Sequence, residues 1–452
     1  MFKINIKTGL SIIISKIVLK LSKTLLKGGT NFPGKVALKV DNNILKTVAK
    51  GYKVIIVTGT NGKTTTTNMI YSMLKDSGKK VISNSTGANM LPGIVASFIE
   101  HYKFGHIDGE KYAVIETDEA NVKLVTEYIT PEIITITNLF RDQLDRYGEV
   151  YTTLKKIVEG LEKAPLSKLI LNGDESLLGD LEIPNAAVYY GFNTSIDDNK
   201  TIDINADAKF CKKCKHPYEY NFLTYNHLGD FYCENCGYKR PHLTYFVDKI
   251  YEQTPEGSYV SINGTDIFIN QSGTYNIYNA LCAYSIAREL GVEKKVIVNS
   301  LKSQKSSFGR QESLNIDGKE VKIVLVKNPA GCDQAINTIF LDKREISLVA
   351  LLNDNYADGR DVSWIWDVGF EKLSSLNIKD VLVGGARLYD MAVRLKVAGL
   401  KEDGFQAHEN LDSLLEGIKN TSTNTVYVLA TYTAMLEFRK YLFNKKYIEK
   451  LW

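Results

Sequence analysis

The stretch Thr58-Gly59-Thr60-Asn61-Gly62-Lys63-Thr64-Thr65-Thr66-Thr67 constrains the fold of this chain more than any other. An apolar β-branched run, Val54-Ile55-Ile56-Val57, leads into it, and a helical pattern from Asn68 to Leu74 follows. Strand, glycine loop and helix start together make an anion site, because unpaired backbone N–H groups and the helix dipole converge on one point. Lys63 is placed to reach the β- and γ-phosphates and the Thr64 hydroxyl to hold Mg²⁺, with Gly59, Thr60, Asn61, Gly62 and Thr65 forming the cradle. The Gly-x-x-Gly-Lys-Thr form is shorter than the usual phosphate-loop spacing, and a bare glycine turn is the competing explanation. Strand, Lys-Thr pair and helix in succession favour an ATP site.

At 452 residues the chain exceeds one hydrophobic core and is expected to form two or three domains. With 44% hydrophobic and 24% charged residues and only 9 Pro, it is globular throughout. A net charge of +4 is near balance at this length and gives no support to a nucleic-acid partner. Residues 4–27 are apolar yet carry Lys7, Lys16, Lys20, Lys23 and Lys27, which interrupt the run too early for a spanning helix. The segment 1–50 therefore reads as an amphipathic helical region that either packs on the next domain or rests on an anionic membrane surface.

Strand and helix patterns alternate from Gly51 to about Pro165, as in a doubly wound α/β domain. Candidate strands are Lys53–Val57, Lys80–Ser83, Tyr112–Glu116, Ile133–Asn138 and Leu169–Asn172. The carboxyl edge of such a sheet is where ligands bind. Glu116 at that edge is suited to complete an Mg²⁺ shell, since a hard cation needs oxygen ligands. An ordinary helix-start acid is the alternative, a role that Asp118 and Glu119 fit better.

Residues 205–245 break this rhythm. Cys211-x-x-Cys214 and Cys233-x-x-Cys236, 18 residues apart, match the two knuckles of a zinc ribbon. Four thiolates saturate tetrahedral Zn²⁺, so the metal is expected to be structural. His216, His227 and His242 are expected on the surface of the insertion, and Thr201–Phe210 and Thr244–Phe268 are read as its β-hairpins.

A helical pattern resumes at Gly273 and closes at Gly291, with Asn276 and Asn279 on one face near its start. These asparagines serve either as caps or as nucleotide contacts. The polar loop Ser306–Glu312, with Arg310, marks a boundary between a unit at 51–308 and a second α/β unit at 309–452. The second unit has candidate strands Lys322–Val326, Ile346–Leu352, Asp380–Val383 and Thr425–Ala430. Its strand-end loops carry Lys327-Asn328-Pro329-Ala330-Gly331 and four Asp within fourteen residues, Asp354, Asp358, Asp361 and Asp367. These acids are either turn and cap chemistry or part of a site.

As a set, these motifs resemble the Mur ligases over about residues 50–330. The compressed loop at Thr58–Thr65, the carboxylate Glu116, Thr137-Asn138 with Asp142-Gln143-Leu144-Asp145, the Asn276–Asn279 helix and Gly309-Arg310-Gln-Glu312 all carry the likeness. Two positions depart from the peptide-adding members. Gln143 stands where they have a metal-assisting His, and Ile157 where they carbamylate a lysine, with Lys156 one position off. With the four-cysteine insertion and Asp-Gly-Arg-Asp361-Val-Ser-Trp-Ile-Trp-Asp, the whole chain resembles the MurT family. That likeness implies a Mur ligase-like α/β fold with a zinc ribbon and a Rossmann-like C-terminal domain. It also implies ATP-dependent amidation of the D-glutamate α-carboxylate of lipid II, in the cytoplasm at the inner face of the membrane. ATP and Mg²⁺ are the implied cofactors, with Zn²⁺ in the ribbon. Lys63 and Glu116 are the implied catalytic groups, Asn138, Asn279 and Arg310 further nucleotide contacts, and Asp361 the group that orients a His of a GatD-like glutaminase partner. The alternative for Asp361 is an N-cap of a helix over Val362–Leu373. Two other functions compete: a stand-alone ligase of the folylpolyglutamate type, and a zinc-ribbon nucleic-acid-binding ATPase.

Overall fold

The apolar run before the glycine loop becomes a central strand of the larger of two sheets. The structure is a computed structural model and describes residues 5–25, 31–84, 88–105, 109–141, 150–196, 207–304, 310–400 and 404–449. Three helices open it, α1 (Ile6–Leu25), α2 (Asn31–Val40) and α3 (Ile44–Val48). There follow β1 (Tyr52–Thr58), α4 (Lys63–Asp76), β2 (Lys80–Ser83), α5 (Leu91–His101), β3 (Lys111–Glu116), α6 (Val122–Thr126), β4 (Ile133–Ile136), α7 (Val150–Leu161), β5 (Lys168–Asn172) and β6 (Ala187–Phe192). After the hairpin β7 (Glu219–Tyr225) and β8 (Leu228–Tyr232) come β9 (Tyr245–Gln253), β10 (Ser258–Ile262), β11 (Thr265–Ile269), α8 (Thr274–Glu289) and α9 (Lys294–Ser303).

The nine-stranded sheet has the order β11-β10-β9-β6-β5-β4-β1-β3-β2. β1 pairs in parallel with both β3 and β4 and is buried from Val54 to Thr58. A strand covered on both faces needs an unbroken apolar run instead of an alternating one, and Val54–Val57 is such a run. Helix α8 lies against α4 and is buried at every residue from Asn276 to Ala287. The expected hairpins at Thr244–Phe268 are therefore corrected. β9 adds in parallel to β6, and β10 and β11 continue the same sheet antiparallel, so these strands belong to the main core and not to the insertion.

The C-terminal unit contains β12 (Arg310–Ile316), β13 (Lys319–Leu325), α10 (Pro329–Ile339), β14 (Ile346–Leu351), β15 (Ile378–Gly384), α11 (Leu388–Val397), β16 (Phe405–Ala407), α12 (Leu411–Lys419), β17 (Thr425–Ala430) and α13 (Tyr432–Asn444). Its sheet runs β12-β13-β17-β14-β15-β16, parallel except at the β12–β13 hairpin. The helix expected over Val362–Leu373 is instead two short 3₁₀ segments, Ser363–Asp367 and Phe370–Ser375. Arg394 holds them from below, its Nε donating to the Ile365 carbonyl at 3.0 Å and its Nη2 to the Val368 carbonyl at 2.6 Å.

Helix α1 is amphipathic in an inverted sense. Thr8, Ser11, Ser15 and Ser22 are buried together with Ile12, while Ile6, Leu10, Ile13, Ile17 and Leu21 are exposed. The polar face packs on α2 and α5, with Thr8 Oγ1 donating to Asp41 at 2.6 Å and Ser11 Oγ to the Ala37 carbonyl at 3.0 Å. No helix among the described residues is long and apolar enough to cross a membrane.

The four-cysteine module docks on the central unit through buried polar groups. His227, at the tip of the β7–β8 hairpin, was expected on the surface and is fully buried, whereas His216 and His242 are exposed. Its Nε2 lies 2.8 Å from Glu175 Oε2 and its Nδ1 2.8 Å from Asn226 Oδ1. Two acceptors at the two ring nitrogens fit an imidazolium. Burial pulls the His227 pKa down, but the charge and hydrogen bond of Glu175 outweigh it and raise the net value. Replacing His227 with Leu leaves the fully buried Glu175 carboxylate without its cation. The expected loss is about 3–5 kcal/mol of unfolding free energy, measured by urea denaturation.

Candidate active site

Two glycines shape the phosphate loop, and each is required by a close approach. Gly59 has φ +119° and Gly62 φ +85°. A Cβ on Gly59 would lie 2.4 Å from Thr137 Oγ1, and one on Gly62 only 2.1 Å from Asn279 Oδ1. The loop at the end of β4 laces the phosphate loop in place. Asn138 Oδ1 accepts from the Asn61 N–H at 2.9 Å, and Asn138 Nδ2 donates to the Asn61 carbonyl at 3.1 Å. The Thr60 N–H donates to the Asn138 carbonyl at 3.0 Å, and the Thr60 hydroxyl accepts from the Phe140 N–H at 3.0 Å. Asn138 thus grips the loop backbone directly.

Lys63 opens α4, and its ammonium donates to the Gly59 carbonyl at 2.5 Å, the Thr60 carbonyl at 3.1 Å and Glu119 Oε1 at 2.7 Å. Glu119 was expected to be a helix-start acid and does open the short 3₁₀ helix Glu119–Asn121, but it has a further contact. It is only 5% exposed and ion-paired to the phosphate-loop lysine, while Asp118 does the capping, accepting from the Ala120 N–H at 3.2 Å. Thr64 Oγ1 donates to Glu116 Oε2 at 2.8 Å. Two oxygens at this separation match adjacent corners of an Mg²⁺ octahedron, which lie ~2.9 Å apart for metal–oxygen bonds of 2.0–2.1 Å. Asn89 Nδ2 donates to the other Glu116 oxygen at 3.2 Å, and Asn84 binds the Glu116 backbone on both sides, at 2.9 Å and 2.8 Å. These two asparagines carry no motif and were not foreseen.

A cleft runs from Asn61, Gly62 and Thr65 to Tyr225, Asn279 and Gln334, bringing the two α/β units to one site. Asn279 Oδ1 accepts from the Thr66 hydroxyl at 3.3 Å, and Asn279 Nδ2 donates to Asn276 at 3.1 Å. From the C-terminal unit, Asn328 caps α10 by accepting from the Gly331 N–H at 2.8 Å and donates to Asn61 Oδ1 at 3.2 Å. The polar cluster foreseen at Lys327–Gly331 thus reaches the phosphate loop.

Other foreseen residues stand apart. Arg310 begins β12, and Asp142–Asp145, with Gln143, and Ser306–Gly309 lie outside the described residues. Ile157 is fully buried in α7. Asp361 is exposed, and its Oδ1 accepts from the Ser363 N–H at 2.8 Å; hydrogen bonding from the Ser363 side chain, with that N–H, holds its carboxyl below the usual range. The cap contact is present, on a 3₁₀ segment instead of the helix expected. Burial pushes the Cys282 thiol up to about 11 and the Cys332 thiol well above its ordinary value, so neither supplies a thiolate near neutral pH.

The four remaining cysteines converge, their sulfurs all within 4.8 Å of one another. Cys211 and Cys236 Sγ are 3.6 Å apart and Cys214 and Cys233 Sγ 3.4 Å. Tetrahedral Zn²⁺ with bonds of 2.3 Å sets its sulfurs ~3.8 Å apart, so the cluster fits the metal with a small adjustment. Lys215 and Gly237 occupy equivalent left-handed turns, at φ 65° and 72°, one after each Cys pair.

A compressed phosphate loop facing a second α/β unit across a shared cleft is the arrangement of a Mur ligase. Family models agree: the Mur ligase middle domain matches residues 57–237 and the MurT ligase C-terminal domain residues 325–435. The chain is 41% identical to the lipid II isoglutaminyl synthase (glutamine-hydrolyzing) subunit MurT of Streptococcus pneumoniae, over 99% of both chains. It is 36% identical to the protein of the same name from Staphylococcus aureus, over 85% of this chain and 86% of that one. Among solved structures, a pseudomurein peptide ligase type C from Methanothermus fervidus aligns with TM-score 0.68 at 21% identity, covering 90% of this chain and 81% of that one. MurF from Acinetobacter baumannii aligns with TM-score 0.66 at 16% identity, covering 91% and 80%. The chain belongs to the MurT family.

Gly62→Ala tests the geometry of the loop. The left-handed φ costs an L-residue about 1–2 kcal/mol, and the added methyl displaces Asn279. ATP binding, measured calorimetrically, is expected to be lost while the protein stays folded by circular dichroism.

Proposed function

We propose that this chain is the synthetase subunit of a glutamine-dependent lipid II isoglutaminyl synthase, amidating the α-carboxylate of D-glutamate in the lipid II stem peptide. The observation that carries this reading is the end-to-end likeness to a relative of that name, combined with a phosphate loop whose Thr64 bonds Glu116 and whose Lys63 pairs with Glu119. A carboxylate is a poor electrophile. Transfer of the ATP γ-phosphoryl group makes an acyl phosphate and ADP, and ammonia then displaces phosphate to form the amide. Lys63 neutralises charge on the transferring group, and Thr64 and Glu116 would hold an Mg²⁺ ion that would add to that neutralisation when bound. Asn138 keeps the loop in shape, Asn279 holds the nucleoside, and Arg310 adds a contact from the domain boundary. Residues 1–50, 51–308 and 309–452 divide the labour as helical platform, ATP-binding domain and partner-binding domain. The four cysteines hold a structural Zn²⁺.

The ammonia comes from a GatD-like glutaminase subunit, consistent with the unreactive Cys282 and Cys332 thiols. The exposed Asp361 orients the His of that partner, since a third group that fixes a His tautomer can belong to another chain. The complex supplied with ATP, glutamine and lipid II is expected to yield a product lighter by about one mass unit, the difference between carboxylic acid and amide; an unchanged mass rules the reading out. Asp361→Asn in the same complex should abolish amidation with glutamine and retain it with ammonium chloride. Loss of both activities would remove the triad role.

We place the enzyme in the cytoplasm, at the inner face of the membrane that carries its substrate. Helix α1 supports this placement. It turns Ile6, Leu10, Ile13, Ile17 and Leu21 outward, and the chain has eight Lys but no Asp or Glu before Asp41. An apolar stripe with lysines suits an anionic bilayer, where each lysine near the surface adds about 1 kcal/mol. The full chain should float with vesicles containing phosphatidylglycerol, and the double variant Ile13→Glu, Ile17→Glu should not; identical behaviour of the two would exclude α1 as the contact.

A further inference from the structure

The β7–β8 hairpin enters the central unit much more deeply than a stabilising ribbon requires. Where β7 turns toward β8, Thr224 and His227 each anchor the hairpin to the central unit, and Arg240 adds a third anchor from beyond the second Cys pair. Thr224 Oγ1 lies 2.7 Å from the Tyr278 hydroxyl, which donates in turn to Asp174 Oδ2 at 2.6 Å. Arg240, which follows the second Cys pair, donates to the same Asp174 carboxylate at 3.0 Å. His227 pairs with Glu175, whose Oε2 also accepts from the Leu139 N–H at 3.1 Å, inside the loop that laces the phosphate loop.

Between these anchors sits Tyr225. Its ring lies nearly parallel to that of Phe140, with centroids 5.7 Å apart, and edge-on to Tyr278 at 5.7 Å. Phe140 is the residue whose backbone exchanges hydrogen bonds with Thr60 of the phosphate loop. Tyr225 lines the cleft together with Asn61, Gly62 and Asn279 and is only 9% exposed, and its hydroxyl has no hydrogen-bond partner among the described residues. A phenol left open on a cleft wall, beside the asparagine at the far side of the loop from Lys63, has the position and chemistry to meet the nucleoside part of a nucleotide.

We propose that the metal-bearing hairpin is a wall of the nucleotide site: Tyr225 hydrogen-bonds the nucleoside of bound ATP through its hydroxyl, and the four-cysteine cluster holds Tyr225 in place, so that metal occupancy and nucleotide affinity are linked. The proposal rests on the cleft being the ATP site. The linkage is reciprocal by thermodynamic necessity, so nucleotide also retains the metal.

Calorimetric titration of ATP into the holo-complex tests the contact. Tyr225→Phe keeps both ring contacts and removes only the hydroxyl, and is expected to weaken ATP binding by about three- to tenfold, the range for one hydrogen bond. Equal affinity in wild type and variant overturns the contact. Failure of the wild type itself to bind ATP overturns the underlying assignment of the cleft, which is a distinguishable result. For the linkage, Zn²⁺ release into a chromogenic chelator is followed with and without saturating ATP. Slower release with ATP in the wild type, and a smaller difference in Tyr225→Phe, is expected. Release at the same rate with and without ATP overturns the coupling.

Discussion

The contact of Gly62 with Asn279 is the constraint on which the rest of the site depends. It brings the start of α4 against the start of α8, two helices more than 200 residues apart in sequence, at a distance that admits no Cβ. With α4 fixed, Lys63 and Thr64 project beside Glu116 and Glu119 at the carboxyl end of β3. With α8 fixed, Asn276, Asn279 and Tyr278 become the opposite wall of the cleft and the seat of the hairpin. Removing the methyl group at this one position is what allows both helices to serve a single ligand.

The second unit completes the cleft through modest means. Asn328 both caps α10 and reaches Asn61, so the N-terminus of a C-terminal-domain helix is aimed at the phosphate loop. At the outer side, Arg141 of the β4 loop lies 3.9 Å from Asp367 on the segment that follows Asp361. Asp361 is thus only a few residues from a group that faces the central unit.

Much of this was legible in the chain itself, for a physical reason. The phosphate loop and the cysteine pairs depend on local spacing, which a sequence displays directly, Glu116 could be read from its place at the end of a strand, and the strands around β1 are apolar runs that only a doubly covered sheet can use. What could not be read depends on contacts across long separations. Glu119 looks like any acid at a helix start until Lys63 is placed next to it, 56 residues away. His227 looks like a surface residue of a polar insertion until Glu175 is placed at its ring nitrogen. The strands β9 to β11 follow the cysteines in sequence and were therefore grouped with them, although β9 pairs with β6. Sequence neighbourhood was a poor guide at the point where an insertion divides a sheet.

That division has a consequence for how the molecule assembles. β6 and β9 are adjacent in the sheet, and all of the ribbon lies in the chain between them. Three strands, β9, β10 and β11, can join the sheet only after the intervening segment has been folded back on itself. A metal that closes the ribbon shortens this excursion and lowers the entropy needed to bring the two strand ends together. A metal held by the four cysteines would in this way splint the excursion. In cells short of metal, the defect would first appear as nascent chains with an unfinished sheet, exposed at the edge of β6 and open to pairing with other chains.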